Sequence, residues 1–181
     1  MKRVILLNLF ILALLTNTMS QESVNNFHVE GTDLIWQKVF ETPMNFEQLY
    51  DKVIESGLLE NIVKSENKLT GELKQIDADF KGVGYSEMRI PMYIPRSYYT
   101  GFVIIELKES KYRVTIKRIV LTQKYDDSLT KQGEKTSIET YGLKRGKSEI
   151  TSSFMKSPSL ILDYTFKQKF EFKQTETNDK W

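Results

Sequence analysis

The sequence predicts an α+β domain, an antiparallel β-sheet with one main amphipathic helix packed on one of its faces. Two observations lead to this prediction. Residues 45–56 repeat apolar side chains at helical spacing, whereas most segments around them alternate apolar and polar residues as strands do. A helix with a single apolar stripe must bury that stripe against a flat apolar surface, and a sheet provides one.

The predicted helix begins at Asn45 and ends at Ser56. Asn45 is a residue type that caps helices, and Gln48, three positions later, can reach back to complete a capping box. Gly57 follows and suits the left-handed position after a helix. The apolar residues fall at i, i+3, i+4, i+7 and i+8 and form one stripe: Phe46, Leu49, Tyr50, Val53 and Ile54.

Strands are predicted on both sides of this helix. Within residues 27–41, Leu34, Trp36 and Phe40 alternate, and Gly31 indicates that the ordered strand begins near residue 32. A short apolar strand is predicted directly after the helix, at residues 58–63.

A bulged strand and a hairpin are predicted next. Residues 69–80 alternate in two phases that change at residues 74–75, which is typical of a β-bulge. A buried-type strand at 102–107 and an alternating strand at 112–116 flank the short polar stretch 108–111. This order predicts a β-hairpin.

Two further segments carry mixed patterns. In the first segment, four apolar residues alternate as in a strand: Met88, Ile90, Met92 and Ile94. Pro91 and Pro95 lie in the same segment and confine the predicted strand to a sheet edge. The C-terminal segment alternates over more positions and favours a strand: Leu160, Leu162, Tyr164, Phe166, Phe170 and Phe172. Three of these also fall at helical spacing, so a second helix capped by Ser157 stays open.

The first 20 residues have the order of a secretory signal peptide. Two basic residues open it, an apolar run at 4–15 follows, and the small residues Thr18 and Ser20 precede the expected cleavage. The run is about 12 residues long, whereas a membrane-spanning helix needs roughly 20. We therefore expect an exported protein in the periplasm or outside a Gram-negative bacterium, with no transmembrane segment in the mature chain.

The remaining chain reads as one domain with flanking segments. We expect a mobile lead-in at 21–31, the α+β domain at 32–123, a polar loop region of weak order at 124–156, a strand or helix at 157–173 that completes the domain, and a tail at 174–181.

Charge and cysteine content exclude several classes of protein. Removal of Lys2 and Arg3 with the signal peptide leaves 24 basic and 24 acidic residues, so a basic, nucleic-acid-binding protein is not indicated. Residues 21–107 carry 8 basic and 14 acidic residues, and residues 108–181 carry 16 and 10. This asymmetry has two explanations: solvent-exposed surfaces that simply differ in composition, or a molecule with one acidic face and one basic face. The chain has no cysteine, which excludes disulfides and thiolate chemistry.

Residues 85–99 are the best candidate for a binding surface. Tyrosine and arginine combine a large contact area with a polar tip, which recognition surfaces use and which also suits stacking on sugars. Packing within a sheet and a covering loop explains the same residues without a ligand. The candidate binding residues are Tyr85, Arg89, Tyr93, Arg96, Tyr98 and Tyr99.

No catalytic, metal or cofactor site is predicted. His28 is the single histidine, and we interpret it as a surface residue without a catalytic or metal-binding role. Asp77 and Asp79 fall on one face of a strand, where they could bind Ca²⁺ or act as an acid–base pair, although the outward face of an amphipathic strand explains them equally well. Motifs of nucleotide, phosphate and zinc sites are absent from the sequence.

Three features together resemble a family of small, exported, uncharacterised bacterial proteins with a TATA-binding-protein-like (TBP-like) fold. They are residues 34–40 ahead of the capped helix, the strand around Gly71, and the hairpin at 101–120 in which Tyr112 opens the second strand. The resemblance covers roughly residues 32–123. It implies a curved antiparallel sheet with a helix on one face, and it implies no function and no DNA binding.

These observations favour a non-enzymatic exported module that binds a protein or a glycan of the cell envelope. Two alternatives stay open. One is a carboxylate-dependent hydrolase that acts on envelope material, and the other is a structural subunit that assembles through oppositely charged halves.

Overall fold

The computed structural model describes residues 23–128, 130–146 and 148–173. The predicted signal peptide at 1–20 and the tail at 174–181 lie outside these residues. The strands are β1 (Ser23–Val24), β2 (Phe27–Glu30), β3 (Asp33–Glu41), β4 (Leu59–Ser65), β5 (Lys68–Asp77), β6 (Ser97–Lys108), β7 (Lys111–Gln123) and β8 (Lys135–Ser137). The helices are α1 (Phe46–Ser56), α2 (Glu139–Gly142) and α3 (Ser157–Phe170), with one 3-10 turn at Glu87–Arg89.

The strands form one curved antiparallel sheet in the order β1-β2-β3-β7-β6-β5-β4, with β8 paired to β7. The predicted α+β class is confirmed. The predicted hairpin is also confirmed, since β6 and β7 pair along their whole length and Lys108 faces Lys111 across a two-residue turn. The register of β5 against β6 shifts between Leu73 and Ile76, where the phase change predicted a bulge.

Helix α1 has the predicted caps. The Asn45 side chain accepts a hydrogen bond from the Gln48 N–H, and the Gln48 side chain accepts one from the Asn45 N–H. Gly57 ends the helix in the left-handed conformation at φ 61°. Leu49 and Val53 on its apolar stripe are fully buried in the core.

The C-terminal segment is helix α3, so the favoured strand interpretation is wrong. Lys156, rather than Ser157, is the cap residue of this helix, and Pro158 lies in its first turn. Phe166 and Phe170 pack against Trp36 of β3 with ring centroids 5.4 and 6.4 Å apart. The helix therefore covers the β2–β3–β7 part of the sheet.

Two segments expected to be weakly ordered are part of the fold. The lead-in prediction is wrong from residue 23 onward, because β2 forms a hairpin with β3 and places Phe27 fully inside the core. Within residues 124–156, β8, α2 and a bridge between Leu143 and Ile150 form, and Phe154 is fully buried. That region is a packed connection rather than a loose loop.

The face of the sheet opposite the core carries ion pairs between residues 21–107, the acidic half of the chain, and residues 108–181, the basic half. Basic residues of β7 contact acidic residues of the first half: Lys111–Glu41, Arg113–Glu106, Lys117–Glu30 and Arg118–Glu72, at 2.7 to 3.9 Å. Because β7 lies in the middle of the sheet, the basic C-terminal half and the acidic N-terminal half interleave. Each of these four pairs thus places a basic residue of the second half beside an acidic residue of the first half.

Candidate functional site

The loop that joins β5 to β6 spans residues 78–96 and contains most of the predicted binding residues. The predicted edge strand over 88–94 is wrong, because this segment forms a 3-10 turn and further turns instead. Pro91 has no N–H to donate to a strand partner, which favours this outcome. Ile90 and Ile94 point into the core and anchor the loop.

Tyr99 is fully buried, so the prediction that it contributes to a binding surface is wrong. Its hydroxyl donates towards the backbone oxygens of Tyr93 and Ile94, at 3.2 and 3.4 Å. Burial raises the pKa of Tyr99 well above its usual range, because the phenolate would lose its hydration. Tyr99 therefore holds the loop backbone at residues 93 and 94 from within the core.

Tyr93 is the second anchor of the loop. Its ring stacks on Tyr141 with centroids 4.1 Å apart and planes inclined by 12°. Burial, with a smaller contribution from Tyr141, raises the pKa of the Tyr93 hydroxyl above its usual range. The tyrosine pair joins the loop to the short helix α2, which lies far away in the sequence.

Arg96 and Tyr98 are held in polar contacts at the end of the loop. The Arg96 guanidinium pairs with the Asp127 carboxylate at 3.2 Å. The Lys124 ammonium lies 5.0 Å from the centroid of the Tyr98 ring and donates to the Pro95 carbonyl at 2.8 Å. These contacts fix the loop to the segment that follows β7.

The most exposed part of the loop is its tip, which we define as Met88, Arg89 and Met92. Met88 is 97% exposed and Met92 is 60% exposed. Arg89 is also exposed, whereas Tyr85 is half-buried against the core. The structure therefore presents two thioether side chains and a guanidinium from a loop whose base is buried.

The exposure of Met88 and Met92 is not predicted by the sequence pattern, which places both residues on one strand with Ile90 and Ile94. In the structure the two isoleucines are buried and the two methionines are exposed. Pro91, between Ile90 and Met92, is the signal against a continuous strand, since proline cannot donate a backbone hydrogen bond to a neighbouring strand. Exposed methionines are common on protein-binding surfaces because the side chain is flexible and polarisable.

Asp77 and Asp79 have separate partners instead of forming a catalytic pair. Asp77 Oδ1 lies 2.5 Å from the Lys124 ammonium. Asp79 Oδ1 accepts a hydrogen bond from the Gly82 N–H at 2.8 Å and thereby closes a tight turn. Within the described part of the chain, no three His, Cys, Asp or Glu side chains lie close enough together to hold a metal ion.

His28 lies on β2, half-buried on the face of the sheet opposite the core. Desolvation lowers the pKa of this histidine, while the neighbouring Glu30 raises it by a smaller amount. The side chain has no carboxylate pair of the kind that a ligand site needs, and Glu30 itself is bound to Lys117.

Comparison with known proteins assigns neither a family nor an activity to this chain. No protein-family model and no curated protein matches the chain. No helix in the described residues is both long and apolar enough to cross a membrane.

Two solved structures are similar to this one. A TBP-like protein from Parabacteroides distasonis aligns over 78% of this chain and 90% of its own, with 10% identity and a TM-score of 0.49. A DUF4468 family protein from Bacteroides ovatus aligns over 81% of this chain and 91% of its own, with 18% identity and a TM-score of 0.43. Both are likenesses of structure, one to a protein described as TBP-like and the other to a protein described as a DUF4468 family member.

Proposed function

We propose that this protein is an exported, non-enzymatic module that binds a partner protein of the cell envelope through the loop tip. The observation that carries the proposal is the exposure of Met88 and Met92 on a loop whose base is buried. Loops longer than about 12 to 15 residues inside a compact domain are usually either functional or disordered, and this loop is anchored by the buried Ile90 and Ile94. Rigid anchoring lowers the entropy cost of ordering such a loop on binding.

The chemistry of the tip favours a protein surface over a sugar. Burial of a methionine side chain contributes about 1.5 to 3 kcal/mol, which an apolar pocket on a partner would supply. Arg89 between the two methionines offers hydrogen bonds to carboxylates or carbonyls at the rim of that contact. Tyr85 within the loop and Tyr98 at the start of β6, both half-buried, would extend the contact area.

Export is part of the proposal and rests on the sequence of residues 1–20. A partner in the periplasm or outside the cell follows from it. The hydrolase alternative has less support, because Asp77 is paired with Lys124 and Asp79 serves a turn. The assembly alternative also has less support, because four basic residues of β7 already pair with acidic residues of the first half.

The test begins with a photo-crosslinking amino acid placed at position 88 in the native host envelope. The matched control carries it at position 54, since Ile54 is also an exposed apolar residue, 46% exposed on α1. We expect one reproducible protein adduct from position 88 that is absent from position 54. Adducts that are the same from both positions would contradict the proposal.

The identified partner is then purified, and its affinity is measured against two double variants. Met88→Ser with Met92→Ser removes two apolar groups, so affinity should fall about 100-fold. Met88→Leu with Met92→Leu preserves the apolar area and should bind within a few-fold of the unmodified protein. Equal affinity of the serine variant would contradict the assignment of the loop tip.

A further inference from the structure

We propose that a crevice between the end of β5 and helix α3 binds a neutral saccharide, independently of the loop tip. The crevice has a volume of about 540 Å³ and is open to solvent on one side. That volume is within the range of small-ligand sites, roughly 300 to 1,000 Å³. Besides Thr165, its polar lining residues are Gln75, Asp77, Asp79, Tyr164, Gln168 and Lys169.

The base of the crevice is apolar and fixed. Ile76 and Ala78 are buried beneath it, one on each side of Asp77. Thr165 of α3 joins the two walls, because its hydroxyl accepts a hydrogen bond from the Asp79 N–H at 2.9 Å and donates one to the Ile161 carbonyl at 2.8 Å. The spacing between strand and helix is therefore set before any ligand arrives.

The polar groups on the walls suit sugar hydroxyls. The side chains of Gln75, Tyr164 and Gln168 have no hydrogen-bonding partner among the described residues, so they remain available to a ligand. Amide groups donate and accept, carboxylates accept, and an ammonium donates, which together match the mixed donor and acceptor character of a polyol. The aromatic ring of Tyr164 adds an apolar surface for the C–H face of a sugar ring.

Charge balance selects a neutral ligand over an ion. Asp77 and Asp79 contribute two negative charges at the crevice, and Lys169 on the helix wall and Lys124 beside Asp77 contribute two positive ones. A net charge near zero gives neither an anion nor a cation a Coulombic advantage. Hydrogen bonds to charged groups still strengthen the binding of uncharged hydroxyls.

Gly82 holds two of the ligand-facing groups in place. A Cβ at this position would lie 2.4 Å from Asp79 Oδ2 and 2.7 Å from Tyr164 Cε1, so no larger residue fits without displacing them. The turn backbone thus lies directly against the carboxylate and the ring. Such contact pre-organises both groups for binding.

The experiment is a titration of the purified protein with maltotriose, xylotriose and chitotriose in the millimolar range, followed by amide chemical shifts. We expect saturable shifts from at least one trisaccharide that are confined to residues 75–82 and 164–169. Tyr164→Ala should weaken that binding about tenfold or more, and Asp79→Asn and Gly82→Ala should weaken it too. Tyr125→Ala is the matched control, because Tyr125 is an exposed tyrosine outside the crevice.

Tyr164→Phe separates ligand binding from folding, because it preserves the ring and removes only the hydroxyl. It should retain the fold and the stacking contribution while losing the hydrogen-bonding one. The proposal is overturned if no neutral trisaccharide gives saturable shifts in the crevice, or if binding is unchanged in both Tyr164→Ala and Asp79→Asn. The Met88 and Met92 serine variants should bind saccharide normally, so failure of one proposal does not decide the other.

Discussion

The indole N–H of Trp36 donates a hydrogen bond of 2.9 Å to the carboxylate of Asp163, which joins the middle of β3 to helix α3. The same carboxylate accepts from the Asn26 amide at 2.7 Å and pairs with the Lys167 ammonium at 2.6 Å. Asp163 is only 3% exposed, and each of its contacts is made inside or at the edge of the core. These three donors replace the hydrogen bonds that the carboxylate would otherwise make to water.

Replacement of Asp163 by alanine should destabilise the domain strongly. The change leaves the buried Trp36 N–H without an acceptor and removes the partner of Lys167. We expect the free energy of unfolding to fall by about 3 kcal/mol, measured by urea denaturation. Asp51→Ala is the control, because Asp51 is exposed on α1 and should change stability by less than about 0.5 kcal/mol. Equal effects of the two substitutions would refute this role.

Stability should fall at alkaline pH because of buried tyrosines. Burial raises the pKa of Tyr112 to about 12, and its hydroxyl donates to the Phe170 carbonyl at 2.8 Å. An unfolded tyrosine ionises near pH 10. Between about pH 10 and 12 the native state therefore binds more protons than the unfolded state, so stability present below pH 10 is lost as pH rises. Tyr93 and Tyr99 act in the same direction.

This pH effect is checked by urea unfolding at a series of pH values from about 8 to 11. Tyr112→Phe should lower stability at every pH, because a backbone carbonyl loses its donor, yet the decline above pH 10 should be shallower. A decline of the same steepness in Tyr112→Phe would contradict the assignment to Tyr112.

Local signals allowed helix α1 and the β6–β7 hairpin to be predicted from sequence. Helix α1 has one buried stripe and both caps, and the hairpin joins neighbouring strands through a two-residue turn. The strand prediction for helix α3 is wrong because apolar residues do not mark its buried side: Asp163 and Thr165 are buried, whereas Leu160 is exposed. Without a single apolar stripe, the pattern of such a helix can imitate strand alternation.

The β2–β3 hairpin was missed for a different reason. Gly31 predicts that the ordered strand begins after it, whereas at φ 65° it lies in the turn between two strands. Phe27 and Val29 before this glycine alternate as Leu34 and Trp36 do after it, which is the signal that could have identified the hairpin. The position of the loop at the candidate site depends on contacts such as the stacking of Tyr93 on Tyr141. These residues are far apart in the chain, so no local sequence pattern predicts their contact.

The capping box of α1 should contribute measurably to stability. Asn45→Ala removes the acceptor for the Gln48 N–H and should lower the free energy of unfolding by about 1 kcal/mol. Asn45→Ser keeps an oxygen in reach and should stay within a few tenths of a kcal/mol of the unmodified protein. Thermal or urea unfolding of the two variants provides the measurement. If serine and alanine are equally destabilising, the side-chain cap is not the cause.

A methyl group at Gly142 should disturb the core. A Cβ there would lie 2.4 Å from Leu34 Cδ2, and Leu34 is fully buried on β3. We expect Gly142→Ala to cost about 1 to 3 kcal/mol through overpacking, measured by urea unfolding. Thr140→Ala is the control in the same short helix, since Thr140 is exposed and should have little effect. An unchanged stability of Gly142→Ala would mean that α2 moves freely to make room.

Removal of the Tyr141 ring should release the β5–β6 loop while the sheet stays folded. Tyr93 would lose its stacking partner, whereas the contacts at the ends of the loop, such as the Arg96–Asp127 ion pair, would remain. An aromatic pair contributes about 0.5 to 1.5 kcal/mol beyond its buried area, which corresponds to roughly a 2- to 12-fold rise in local opening. We expect amide exchange in Tyr141→Ala to accelerate by that factor at residues 85–96, relative to the core amides of β6 and β7.

Trypsin cleavage after the exposed Arg89 gives a second readout of the same opening. The rate of this cleavage should rise in Tyr141→Ala and should stay unchanged in Tyr125→Ala, where an exposed tyrosine is removed elsewhere. Loop exchange that rises only as much as core exchange would show that the substitution destabilises the whole domain instead. A selective rise would establish that α2 holds the loop tip in position, because the stacked pair is the ring contact between them.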